Sequence, residues 1–357
     1  MPEERESETK TKKITSLLSI SHDKDVDGLN SAAIVWRYAK AKGLDFKVLL
    51  TDYGSFDQVF SAISRERDTL IIITDLGMDD TTIDAVQTGL TRAISQGCRV
   101  VWLDHHHWSD RSIKMILSLG NKPVLKVNHE FCAAEITHKV LMPRDEVAEE
   151  LAKIADDTDF NLREIEEATA LTDAVSVIRF GAIDKKEDVT DTIYPLLTKL
   201  AESGMSGVWD KDTHKFKDPL LHKRVDHYRK EKAKKMRKAL SGHNDQVIHG
   251  KLIRIVEIPT GVTSTDMGTF ASNQENLTSI DPELRVADLL LSLSQGGMLG
   301  FRRGSDGVLC NAAAKLFNGG GHPYAAGGEY GLYEDFQAVS DDIFLTLSKS
   351  KAWVSES

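Results

Sequence analysis

Cysteine is scarce in this chain. Three residues among 357, Cys98, Cys132 and Cys310, lie far apart, and none forms a CxxC pair. This odd, scattered set supports neither a disulfide framework nor a zinc ribbon. Each thiol reads as a small buried hydrophobe in a reducing cytoplasm. Long apolar runs are also lacking, so no segment would span a bilayer and no membrane partner is expected. The first 13 residues, MPEERESETKTKK, have no apolar core and read as a frayed polar tail rather than a secretory signal. Positive charge is not in excess either. Lys and Arg number 45 against 55 Asp and Glu, a net charge of −10. That argues against a protein that coats long duplexes by bulk electrostatics. No internal repeat or low-complexity block is visible. The remaining composition, 41% hydrophobic and 28% charged, is that of a soluble globular protein whose length suits two domains.

The first half alternates short apolar runs with amphipathic stretches. Residues 14–20, 48–51, 70–74 and 99–103 read as strands, and residues 29–42, 56–66 and 83–95 show helical spacing. Strands alternating with helices predict an α/β fold: a parallel sheet with helices on both faces, over residues 14–204. Gly43, Gly97 and Gly120 are expected at helix ends. Residues 205–245 read as a helical connector crowded with Lys223, Arg224, Arg229, Lys230, Lys232, Lys234, Lys235, Arg237 and Lys238, opposed by Asp226 and Glu231. A solvated charged face is the simpler reading; contact with a phosphate backbone is the alternative. A smaller α/β domain follows at 246–350, opening on the strand-like VIHGKLIRIVEI and closing on a helix near residues 335–347.

Chemistry is concentrated in four acidic and histidine clusters. Asp23, Asp25 and Asp27 alternate in SHDKDVDG, Asp75 follows LIIIT, Asp104-His105-His106 ends RVVWL, and Asp156 and Asp157 sit in KIADDTDF. Three of these follow predicted strands directly, and ligands bind at the carboxyl ends of strands in open parallel sheets. Grouped carboxylates raise one another's pKa, so a counter-charge is required, and divalent metal supplies it. If the first segment stays extended, its three aspartates share one side, and two of them can serve adjacent metals. Gly28 allows the turn into a helix. A calcium loop of the EF-hand type is excluded, because no Glu stands at the required spacing. Asp75 alone would be a turn or cap; among these partners it suits a bridging carboxylate. The histidines supply nitrogen ligands, which favour manganese over magnesium, and Asp104 can orient one of them. In the last cluster Asp156 is the expected ligand, at the end of a helix over 146–155, with Asp157 the alternative.

Taken in order, these clusters resemble motifs I to IV of the DHH phosphoesterase superfamily, with DKDVDG similar to the first motif of RecJ-like nucleases. Downstream, NGGGHPYAAGG closely resembles the GGGH…AAG signature of the DHHA1 domain that follows in this superfamily, and GFRRGSDG resembles its arginine-bearing segment. The resemblance implies that Asp25 and Asp27 each bind one metal, Asp75 bridges, His105 is a ligand, His106 is a ligand neighbour or phosphate contact, and Asp156 completes the second metal. It implies further that Arg302 and His322 grip substrate phosphate, with Gly319, Gly320 and Gly321 allowing close backbone approach and Arg303 adding positive charge. Many relatives carry a His four residues before the first ligand Asp; Ser21 stands there, so either His22 or Asp23 takes that role.

The expected activity is hydrolysis of a phosphodiester assisted by two divalent ions, Mn2+ or Mg2+, with Arg302 and His322 neutralising charge on the phosphoryl oxygens. No covalent nucleophile is needed. Short single-stranded oligonucleotides are the favoured substrates of this cytoplasmic enzyme. The alternatives are a small phosphorylated molecule (pAp, a cyclic dinucleotide or polyphosphate) and a non-catalytic scaffold in a replication or repair complex. The chain stands alone or pairs as a homodimer.

Overall fold

The computed structural model describes residues 14–78, 80–121, 123–160 and 162–355; the tail expected at residues 1–13 lies outside them. The chain divides into two compact units, the first ending at Asp226 and the second beginning at His227.

In the first unit the order is β1 (Ser16–His22), α1 (Val26–Lys42), β2 (Asp45–Thr51), α2 (Phe56–Ile63), β3 (Thr69–Thr74), α3 (Ile83–Ser95), β4 (Arg99–Asp104), α4 (Asp110–Ser118) and β5 (Val124–Val127). Four helices follow: α5 (Ala133–Leu141), α6 (Glu146–Asp159), α7 (Glu166–Lys185) and α8 (Val189–Ser203). A small hairpin, β6 (Trp209–Asp210) with β7 (Lys215–Phe216), precedes α9 (Pro219–Ser241). The five main strands are all parallel, in the order β2-β1-β3-β4-β5.

Period-2 alternation explains why this sheet is covered on both sides. Leu17 of β1 and Ile72 of β3 pack with Val35 and Ala39 of α1. Their neighbours Leu18, Ile20, Ile71 and Ile73 face the other way, into a core with Phe60 of α2, Val86 and Leu90 of α3, and Ile116 of α4. Phe60 stacks on Trp102 there, with ring centroids 5.9 Å apart. Full burial of a phenylalanine is worth about 1.5–3 kcal/mol. β5, α4, α5, α7 and α8 are not among the elements expected from the sequence. β5 has only four residues, with Val124 and Lys126 exposed. α7 buries Ala170, Leu171, Ala174, Val175, Val177 and Ile178, more than one face, so no helical stripe stands out.

The second unit continues with β8 (Asn244–Ile248), β9 (Lys251–Ile258), α10 (Ser264–Ser272), α11 (Gln274–Thr278), β10 (Leu289–Ser294) and β11 (Met298–Arg303). It ends with α12 (Cys310–Lys315), β12 (Gly320–Gly321), β13 (Ala325–Glu329) and α13 (Phe336–Ser348). Its six strands form a mixed sheet, β12-β13-β11-β10-β9-β8. One face carries Ile253, Ile255, Leu289, Leu291 and Phe301 against α12 and α13. The other carries Val256 and Leu290 against Met267 and Phe270 of α10 and Met236 and Leu240 of α9. The division between units falls within α9, inside the stretch expected as a connector.

Candidate metal centre and phosphate cleft

In the first unit, β1 stops at His22 and the chain turns at once into α1. Asp25 caps that helix, its Oδ1 accepting the Gly28 N–H at 3.0 Å. The segment therefore does not stay extended, and the expectation that Asp23, Asp25 and Asp27 share one side fails. Helix geometry gives Asp27 a different role. It sits in the first turn of α1, 1% exposed, and its carboxylate accepts the N–H groups of Ala133 (2.8 Å) and Ala134 (2.7 Å) at the start of α5. Partial positive charge at that helix end holds an anion deep in the protein. Asp23 turns away instead, 3.2 Å from Arg179 Nε.

β3 delivers Asp75 in the left-handed region, φ 55°. Asp tolerates this region better than most residues. Its Oδ1 lies 3.3 Å from His105 Nε2 and 4.0 Å from His106 Nδ1; its Oδ2 lies 3.6 Å from His22 Nδ1. β4 ends on Asp104, fully buried, whose carboxylate lies 2.8 Å from His106 Nδ1 and accepts Trp108 Nε1–H at 2.6 Å. Gly77 makes room for His106, because a Cβ there would fall 2.7 Å from His106 Cβ. The His105 ring is held on both edges: Nε2 lies 3.7 Å from Asp27 Oδ2, and Nδ1 lies 3.5 Å from Asp159 Oδ2.

In the fourth cluster the structure places Asp159, rather than Asp156 or Asp157, beside His105. α6 runs to Asp159, not to residue 155. Asp156 lies beside Glu135 at the α5–α6 surface, and Asp157 accepts the N–H groups of Glu164 and Ile165. Neither joins His105; Asp159 does. The signal was present, since α6 buries Leu151, Ala152 and Ala155, and continuing that period reaches 159. Between His22 and Asp23, the structure brings His22 to the cluster, with Nδ1 3.0 Å from Asp25 Oδ2.

Electrostatics reflect the crowding. Burial, with the charges of Asp75 and Asp159, pushes the Asp27 carboxyl well up. Asp75 is raised by burial and by Asp25. Asp159 is pushed by burial to about 6, against the pull of His105. For His105, burial opposes the proton, but Asp75, Asp159 and Asp27 together lift its pKa to about 10. His22 likewise rises to about 10, burial being outweighed by Asp25 and Asp75. In each case the carboxylates demand positive charge nearby.

The donor set fits divalent cations. Three overlapping groups, His22–Asp25–Asp75, Asp75–His105–His106 and Asp27–His105–Asp159, each bring ligand atoms within 4.8 Å of one another. Asp75 and His105 are each shared by two groups, as a bridged pair of cations needs. Asp75 Oδ2 is buried with no hydrogen-bond partner among the described residues. Nitrogen and oxygen donors in this mixture suit Mn2+ and similar ions.

In the second unit a cleft of about 480 Å3 opens between β9, α10, β11 and the glycine-rich strands, lined by Ser264, Ser292, Arg302, Gly320 and Gly321 among others. Arg302 Nη2 donates to Thr265 Oγ1 at 2.8 Å and Nη1 to the Phe301 carbonyl at 2.9 Å. No carboxylate lies within ion-pair distance of this half-buried guanidinium among the described residues. Burial lowers its pKa. Arg303 points away, toward Asp306 at 3.9 Å. Gly319 packs against Gly327, whose carbonyl a Cβ would strike. The exposed His322 stacks on Tyr324, centroids 5.2 Å apart and 6° from parallel. Of the residues expected to bind phosphate in this unit, Arg302, Gly320 and Gly321 line the cleft together; Arg303, Gly319 and His322 do not.

Residues 18–170 match the DHH family, N-terminal domain. No curated protein matches the chain. Among solved structures it is similar to RecJ in complex with Mn2+ from Thermus thermophilus, at 16% identity and TM-score 0.54, covering 96% of this chain and 54% of that one. It is similar to PggH, a pGpG-specific phosphodiesterase from Vibrio cholerae, at 13% identity and TM-score 0.52, covering 94% and 99%. An exopolyphosphatase-related protein from Bacteroides fragilis is similar at 16% identity and TM-score 0.51, covering 94% and 92%. At these identities the likeness is one of fold. No helix among the described residues is long and apolar enough to cross a membrane.

Proposed function

We propose that this chain, whose residues 18–170 match the DHH family, is a metal-dependent phosphoesterase of that superfamily and hydrolyses phosphodiester bonds in short or single-stranded oligonucleotides. The observation that carries this reading is the His105 ring, held among Asp27, Asp75 and Asp159, with Asp75 shared toward His22 and Asp25. His22, Asp25, Asp27, Asp75, His105 and Asp159 would hold two divalent ions, and His106 stands beside them. Bound there, such ions supply Lewis acidity toward a phosphoryl oxygen and lower the pKa of a water. The protein's own part is positioning. Asp104 fixes the ring of His106 through Nδ1. The α5 N-terminus keeps Asp27 in place without spending a side-chain cation on it. Arg302, braced by Thr265, binds phosphate oxygens, and Gly320 and Gly321 let backbone approach them.

The cleft of about 480 Å3 in the second unit is the size of a nucleotide-scale ligand. This supports a substrate read by its end, and it keeps a small phosphorylated molecule as the second reading. A silent scaffold is disfavoured by a complete donor set. One panel separates the readings: turnover of a dinucleotide, a long single strand, pAp and polyphosphate with Mn2+ or Mg2+. Oligonucleotide turnover that is lost in Asp75→Ala and in His105→Ala, both still folded, is the expected result. Full activity in both variants would reject the site.

A further inference from the structure

The helix α9 carries nine Lys or Arg against two acidic residues, in a protein whose net charge is −10. Its geometry sorts these charges. Val225, Met236 and Leu240 are buried, Lys232 pairs with Asp266 at 3.0 Å, and Lys235 donates to the Thr260 carbonyl at 3.0 Å. On the opposite side Lys223, Lys230, Lys234 and Lys238 are exposed. Their spacing of 7, 4 and 4 residues keeps them on one stripe. None of Lys223, Lys234 and Lys238 has a carboxylate partner among the described residues.

This differs from how the protein builds its ordinary solvated helices. On α5, Lys139 pairs with Glu135 four residues earlier; on α6, Lys153 pairs with Glu149. Such i,i+4 pairs are the usual device on a solvated face. Along α9 the same spacing holds like charges at Lys234 and Lys238, which repel. A helix that keeps mutually repelling charges in one row is arranged for a polyanion that neutralises them. From Lys223 to Lys238 the stripe extends roughly 22 Å. One strand of stacked nucleotides carries about six phosphates over that length, at ~3.4 Å each.

We propose that this stripe is a binding path for the phosphate backbone of a single-stranded nucleic acid. The inference rests on the nucleic-acid reading of the enzyme and names the part that would make it prefer longer strands. A dinucleotide is too short to lie along the stripe and is indifferent to it.

The test uses the full chain with Lys223, Lys234 and Lys238 changed together to Gln, and in a second variant to Glu. Thermal unfolding confirms that both remain folded. Binding of a fluorescently labelled 20-nucleotide single strand is measured by anisotropy across a salt series, with divalent ions chelated so that nothing is cut. Dinucleotide turnover is measured separately with Mn2+. The expected result is at least tenfold weaker strand binding at low salt, more so for Glu than for Gln. The slope of log K against log salt should be shallower by roughly 2, from ~0.7 per lost phosphate contact. Dinucleotide turnover should be unchanged. Equal binding and equal slopes in wild type and both variants would overturn the proposal, as would no strand binding by the wild type at low salt. If strand binding is lost in the variants while no protein turns over a dinucleotide, the stripe stands and the hydrolytic reading fails.

Discussion

Exchanging Asp159 for Asn, and separately Asp156 for Asn, tests the metal centre at the point where sequence and structure part. Asp159 Oδ2 lies 3.5 Å from His105 Nδ1, in a group with Asp27; Asp156 lies beside Glu135 and in no such group. A unit charge about 4 Å from another is worth ~4 kcal/mol at an effective dielectric near 20. Losing it from a cation's surroundings should therefore weaken binding by about three powers of ten. Asn is isosteric and Asp159 is partly exposed, so the fold should survive. Titration calorimetry with Mn2+ should show the loss for Asp159→Asn and less than about a tenfold change for Asp156→Asn. NMR titration of the metal-free protein offers an independent reading. The His105 pKa stands at about 10, with burial opposing and Asp75 and Asp159 raising it, so it should fall in Asp159→Asn. Tight Mn2+ binding by Asp159→Asn, with binding lost in Asp156→Asn, would refute the assignment.

Three further outcomes are expected. Gly28→Ala would place a Cβ 2.2 Å from the His22 carbonyl oxygen. Gly→Ala inside a helix usually stabilises by ~0.5–1 kcal/mol; here urea unfolding should show a loss of about 1–3 kcal/mol from overpacking. Thr265→Val removes the acceptor of Arg302 Nη2, a bond worth about 1.5 kcal/mol; KM should rise roughly tenfold with kcat little changed, and Thr265→Ser should restore it. Arg37 grips Asp145 at 2.8 and 2.6 Å. Burial pushes the Asp145 carboxyl up, but the Arg37 hydrogen bonds outweigh it and hold the pKa below its ordinary 3.8. A lowered folded pKa stabilises above the unfolded value and is lost as pH falls through the folded one. Asp145→Asn should therefore cost about 2 kcal/mol near neutral pH, and its difference from wild type should close on acidification past the carboxylate range. A difference that instead widens with acid would contradict the pairing.

The sheet was legible because its strands announce themselves. LIIIT and RVVWL are buried on both faces and read as continuous apolar runs, and both fall within a residue of the observed β3 and β4. The helix over residues 83–95 was read to the residue because its apolar stripe faces one core. Position along a strand also placed Asp75, Asp104 and His105 at the carboxyl end of the sheet, where the structure has them. What spacing could not disclose was where helices begin and end. Asp25 looks like one more alternating carboxylate, yet as a cap it starts α1 three residues early, and that turn sends Asp27 inward and Asp23 out to Arg179. Asp159 was hidden in the same way, by a helix ended one turn too soon. Arg179 itself, 156 residues from Asp23 in sequence, had no local signal at all.

The strand order explains why these clusters had to meet. The chain lays β2 on one side of β1, then returns to lay β3 on the other. Connections leaving β1 and β3 must therefore diverge, opening a crevice at their carboxyl ends. Asp25 and Asp27 leave β1 at that edge, and Asp75 leaves β3 directly beside them; β4 is next, bringing Asp104, His105 and His106. Only the fourth contribution comes from outside the sheet, and α6 provides it by packing along α1, where Asn30 donates to the Leu151 carbonyl at 2.8 Å. A substitution that slid α6 along α1 by one turn would move Asp159 about 5 Å from His105 while leaving the Asp75 group intact. The two proposed cation positions should therefore be separable. Loosening the α1–α6 contact, as in Asn30→Ala, should weaken one Mn2+ site before the other, whereas equal weakening of both would show that the pair binds as a single unit.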